Sequence, residues 1–163
     1  TTTTAIRLML DKAATVDEAV ELLEQYDMHS SAGSCYHFQI ADAGGNSAVV
    51  EYVDNELVVL KAEQDYQMAT NFLLSDKKYN FGNGQDRYEI LETSLDSCNG
   101  VVEDEQAGMD LLQAASKDWH VSESSGRMNA TQWSVVFNCT DLTAKIITGR
   151  QYDKPAHEFS LDQ

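Results

Sequence analysis

Basic residues are scarce in this sequence: 11 Lys and Arg stand against 27 Asp and Glu, a formal charge of −16. A chain this acidic gains no counterion-release energy at a phosphate backbone, which argues against nucleic acid and anionic membrane surfaces as partners. Proline occurs once and glycine nine times, too few for a collagen-like or low-complexity chain. Cysteine is limited to Cys35, Cys98 and Cys139, an odd number with no C-x-x-C and no Cys/His cluster. That argues against a disulfide framework or a zinc module and suits a reducing compartment, so the expected location is cytoplasmic. No apolar run approaches the roughly 18 residues of a membrane span. The chain opens on four threonines rather than on a basic, then apolar, leader, and the gene is expected to begin upstream. G-x-S-x-G, P-loop and H-E-x-x-H motifs are missing. His29, His37, His120 and His157 sit in unrelated contexts, so neither a metal nor a cofactor is expected.

What remains is an ordinary globular composition, 42% hydrophobic over 163 residues, read as a single domain or fragment spanning 1–163. Ile6, Met9, Leu10 and Ala13 fall at helical spacing. A Thr15-x-x-Glu18 capping box then opens a second stripe of Val16, Ala19, Val20 and Leu23. The period switches to two at Tyr36, Phe38 and Ile40, and a turn at 43–46 leads to Ala48, Val50 and Tyr52. Asp54-Asn55 is a second turn, and Leu57 to Leu60 reads as a strand covered on both faces. A fourth strand is expected from Tyr66 to Phe72, and Gly82-Asn83-Gly84 then breaks the pattern. Helices follow around Tyr88, Leu91 and Leu95 and over 103–115, the latter with Ala107, Leu111 and Ala114 inward. A polar loop covers 122–126. Strands return at 131–138, where Trp133, Val135 and Phe137 alternate, at 142–148 and at 158–161. The class is α+β with an antiparallel sheet and helices.

Two N-x-T sequons, at Asn129 and Asn138, read as chance in a chain with no secretion signal. A free N-terminal threonine can act as nucleophile with its own α-amino group as base. Thr1, however, leads into a helix pattern, where threonine serves as a cap.

Taken together, TVDEAVELL (15–23), YHFQIADAGGNSAVVEY (36–52), TNF (70–72), RY (87–88) and WSVVFN (133–138) resemble one family. It is the linear amide C–N hydrolases: choloylglycine (bile-salt) hydrolases, penicillin V acylases and acyl-CoA:6-aminopenicillanate acyltransferases. The resemblance implies an N-terminal-nucleophile hydrolase fold, a four-layer αββα sandwich, of which this chain is the C-terminal half. It implies a nucleophilic cysteine at the mature N-terminus, at the start of a strand that would precede this chain. Cys35, Cys98 and Cys139 are internal and have no free α-amino group, so none substitutes for it. By the same resemblance Asn71 offers its side-chain amide to the oxyanion and Arg87 lies near the nucleophile, where positive charge favours thiolate. On their own residues, Asn71 ends a strand and caps a turn, and Arg87 is an exposed helix arginine paired with Asp86 or Glu89. Phe72 stands where acyltransferase-type relatives often carry histidine, which leaves the branch open. The expectations are therefore an amidase acting on a small-molecule acyl amide, with the fragment inactive alone. Its apolar sheet face would meet the missing N-terminal half or a second copy. The alternative is a non-catalytic binding domain that dimerises through that face.

Overall fold

The computed structural model describes residues 2–26, 36–54, 56–75, 82–121, 126 and 128–161. The chain divides into two compact units, Thr1–Asp86 and Arg87–Gln163.

The first unit opens with helices α1 (Thr2–Lys12) and α2 (Val16–Glu24). Thr15 Oγ1 accepts from Glu18 N while the Glu18 carboxylate accepts from Thr15 N, closing the expected capping box. Val16, Ala19, Val20 and Leu23 are all buried, as the spacing predicts. The stripe of α1 is rotated from its prediction: Ala5 and Met9 are buried, whereas Ile6 and Leu10 face solvent. Met9 fills the contact of α1 with the core, flanked by the short side chains of Ala5 and Ala13.

A three-stranded antiparallel sheet follows, β1 (His37–Ala41), β2 (Ser47–Val53) and β3 (Glu56–Lys61), in the order β1-β2-β3. The β1–β2 turn is set by Asp42, whose carboxylate accepts from Gly44 N, Asn46 N and Asn46 Nδ2 and also from Val16 N at the start of α2. One acid therefore closes the hairpin and docks a helix. Phe38, Ala48 and Val50 join the helices in a single core, with Ile40, Tyr52, Leu57 and Val59 at its margin. The strand covered on both faces is β2, where residues 48–51 are fully buried, and not β3, whose residues 57–60 are half-buried. β2 is the central strand and β3 an edge, so the apolar run in β3 reflects one packed face and one partly open one.

The fourth strand is much shorter than expected. Only β4 (Asn71–Phe72) pairs, and its partner is β5 (Gly82–Asn83), the segment read as a break. Asn55 and residues 76–81 lie outside the described residues, as do Thr1, His29 and Cys35.

The second unit contains helix α3 (Gln85–Ser97), whose first two residues precede the unit boundary, and α4 (Glu105–Ala114). Leu95 is the buried anchor of α3. In α4 the buried residue is Met109; Ala107 and Leu111 are half-buried and Ala114 is exposed, so the predicted inward face is displaced. One short pair, β6 (His120–Val121) with β7 (Met128–Asn129), was not anticipated, and residues 122–125 of the polar loop lie outside the described residues. The unit's sheet is β8 (Trp133–Asn138), β9 (Thr143–Thr148) and β10 (His157–Ser160), antiparallel, with β9 central. α4 packs on the face carrying Ser134 and Val136, with Gly108 facing Val136. The alternating apolar set therefore points the other way. Trp133 is 64% exposed, Phe137 71% and Phe159 62%. No helix among the described residues is long and apolar enough to cross a membrane.

Candidate functional site

Asn71 sits midway along a segment attached to the first sheet at both ends. Four residues before it, Gln67 is held by all three strands. Its backbone carbonyl accepts from Gln39 Nε2 on β1 at 2.8 Å, and its side-chain carbonyl from Ser47 Oγ on β2 at 2.6 Å. Its own amide donates to the Leu60 carbonyl on β3 at 2.7 Å. Met68, Thr70 and Leu73 are buried between the two attachments, with Thr70 Oγ1 donating to the Gly84 carbonyl at 3.1 Å. Laterally, β4 pairs Asn71 with Asn83 and Phe72 with Gly82. Gly82 has φ +109°, and a Cβ there would stand 1.8 Å from the Asn71 carbonyl oxygen. Only glycine permits that approach.

The far attachment is Glu51. By strand alternation its side chain lies on the face of β2 away from α1 and α2. Its carboxylate is 0% exposed. Oε1 accepts from Leu74 N at 2.8 Å, and Oε2 accepts from Ser75 N at 2.9 Å and from Ser75 Oγ. His37 Nδ1, from the facing position on β1, stands 3.3 Å from Oε1. Burial by itself pushes the carboxyl up, but the hydrogen bonds from His37, Leu74 N, the Ser75 hydroxyl and Ser75 N outweigh it and hold Glu51 at about 2. The site thus contains an acid that stays ionised down to about pH 2 and that sequence reasoning did not single out. Its signal was an acid inside an apolar strand, Val49-Val50-Glu51-Tyr52.

Arg87 is half-buried in the first turn of α3, with its Nε enclosed, and is therefore not the exposed helix arginine of the alternative reading. Asn71 belongs to the first unit and Arg87 begins the second, so the two are not members of one unit. Asn71 is exposed.

Two surface hollows carry other groups. One, of 310 Å³, lies in the first unit along Val16, Asp17, Asn46, Ser47 and Lys61. The other, of 370 Å³, lies in the second unit over Glu105, Thr143, Lys145 and Glu158. There Glu105 accepts from Lys145 Nζ at 2.9 Å, Asn138 Nδ2 at 3.1 Å and Thr143 Oγ1 at 3.0 Å, and those donors hold its carboxyl below the usual range. Lys145 also reaches Glu158. This is a satisfied ion-pair network joining α4 to the sheet, with no acid and base set apart for proton transfer. Neither hollow takes in Asn71 or Arg87. Cys98 and Cys139 are exposed free thiols. The Asn138 amide of the second sequon is engaged by Glu105 and Asp141.

The family model described as acyl-coenzyme A:6-aminopenicillanic acid acyl-transferase matches residues 1–153. No curated protein matches the chain. Among solved structures, penicillin V acylase from Agrobacterium tumefaciens superposes with a TM-score of 0.71 at 20% identity. The match covers 96% of this chain and 55% of the acylase, so the chain spans about half the length of that protein. At that identity the likeness is one of fold: mixed helices and antiparallel sheet of the N-terminal-nucleophile hydrolase kind.

Proposed function

This chain belongs to the acyl-coenzyme A:6-aminopenicillanic acid acyl-transferase family, and from that premise we propose that it supplies the oxyanion-binding part of an N-terminal-nucleophile amidase. In this reading a cysteine thiolate outside these 163 residues attacks the carbonyl of a linear acyl amide. The Asn71 side-chain amide donates to the oxygen that becomes negative, and the fixed positive charge of Arg87 favours the thiolate. The amine then leaves, and water or a second amine takes the acyl group from sulfur. Penicillin V and conjugated bile salts are the substrate classes to try first, in a cytoplasmic enzyme. In this reading the 163 residues alone do not turn over the amide, because the attacking thiolate lies outside them.

The observation that supports this reading is the immobilisation of Asn71: the backbone is clamped on both sides and alongside, while the residue itself stays exposed. A residue that only ended a strand would not need three restraints. In the enzyme complete with its nucleophile, Asn71→Ala is expected to lower kcat on penicillin V by about 10²–10³, as loss of an oxyanion donor does. An unchanged kcat would remove Asn71 from the mechanism. Turnover by the 163-residue chain itself would contradict the external nucleophile.

A second reading has an observation of its own. Trp133, Phe137 and Phe159 share an exposed sheet face, which favours a non-catalytic module that pairs with a second copy. Dimerisation that persists in the longer protein and is abolished by Phe137→Ser would support it.

A further inference from the structure

We propose that Glu51 is a positioning residue for Asn71, acting through the segment that its carboxylate clamps. The inference rests on the reading of Asn71 as oxyanion donor and names what holds that donor still. A buried charge is costly unless fully hydrogen-bonded, and an apolar residue would fill a central strand without that cost. Glu51 nevertheless occupies a fully buried position on the middle strand. Its two oxygens take the successive backbone N–H groups of Leu74 and Ser75, one each. A forked acceptor on adjacent amides fixes the orientation of the chain as well as its distance. Ser75 lies four residues after Asn71 and Gln67 four before it, so the donor is suspended between two anchors on one sheet, with β5 at its side. His37 braces the same carboxylate from β1. Oxyanion donors act only within a few tenths of an ångström of their ideal distance, so slack in either anchor lowers the rate without altering substrate capture.

The test is a kinetic cycle on penicillin V in the enzyme complete with its nucleophile. Glu51→Gln keeps the volume but turns an amide NH₂ toward one of the two N–H groups. Its kcat is expected to fall by about tenfold or more with KM changed by less than about twofold, the signature of a lost transition-state interaction. Because Glu51 acts through Asn71, Glu51→Gln combined with Asn71→Ala should be no slower than Asn71→Ala alone. Should Glu51→Gln not fold, Ser75→Ala, which removes only the hydroxyl donated to Oε2, serves in the same cycle with a smaller loss. A variant that keeps wild-type kcat, or whose loss multiplies with that of Asn71→Ala, overturns the inference. If Asn71→Ala is itself as fast as wild type, the reading of Asn71 fails first and this inference falls with it.

Discussion

Gly82 shows how narrowly the position of Asn71 is set. Its φ of +109° lies where L side chains are strained, and an added Cβ would meet the Asn71 carbonyl oxygen at 1.8 Å. That oxygen is backbone and cannot swing aside. Gly82→Ala should therefore break the β4–β5 pairing and cost about 2–3 kcal/mol of unfolding free energy, measured in urea. A variant as stable as wild type would mean that the pairing carries no stability. Glu51 makes a second claim at this scale, through pH. Its carboxyl is depressed from the ordinary 4.5 to about 2 in the folded protein. A depressed acid contributes stability that is complete above pH 4.5 and fades as pH falls through about 2, here worth about 3 kcal/mol. The group facing it is His37, with the Leu74 and Ser75 donors. The stability gap between wild type and Glu51→Gln should thus be wide at pH 7 and shrink by about 3 kcal/mol on approaching pH 2. A gap independent of pH would show that the depression is absent.

At the scale of elements, what could be read from sequence was what local chemistry decides. The capping box at Thr15 and the stripe Val16, Ala19, Val20 and Leu23 lie within three turns of one helix, and both hold. The β1–β2 hairpin is equally local, because Asp42 and the glycines that follow form the turn themselves. Coverage of β2 rather than β3 depends on strand order, and strand order is a property of the assembled sheet. The brief pairing of β4 with β5 leaves no period to detect. At the site, the resemblance offered Asn71 and Arg87 as candidates, and the structure divides them between its two units. Glu51 was not among the candidates, because its partners are the backbone amides of a segment more than twenty residues away. Trp133, Val135 and Phe137 alternate as an inward face should, yet α4 covers the opposite one. Gly108 lies at that contact, and it permits a prediction. A Cβ at Gly108 would lie 3.4 Å from Val136 Cγ2, ordinary contact with a side chain. Gly108→Ala should then raise the thermal midpoint, gaining about 0.5–1 kcal/mol from reduced unfolded-state freedom. A lowered midpoint would mean that helix and strand are already too close for a methyl group.

At the scale of the whole molecule two properties oppose each other. The sheet β8–β10 exposes Trp133, Phe137 and Phe159 on one face, area that water disfavours. The chain also carries a formal charge of −16, and two copies brought together repel. Repulsion between exposed charges is screened over roughly 8 Å at physiological salt and less at higher salt, whereas apolar attraction survives. Self-association of the 163-residue chain should therefore strengthen as salt rises from about 0.02 to 0.5 M, and Phe137→Ser should abolish it, both by sedimentation equilibrium. A chain monomeric at every salt concentration would mean that this face holds no copy of itself, and the second reading would fail. If association is found, the longer protein decides between the readings. Under the amidase proposal the rest of the sandwich lies on this face, so the complete enzyme should be indifferent to salt and to Phe137→Ser in its association. Under the module proposal it should associate as the shorter chain does.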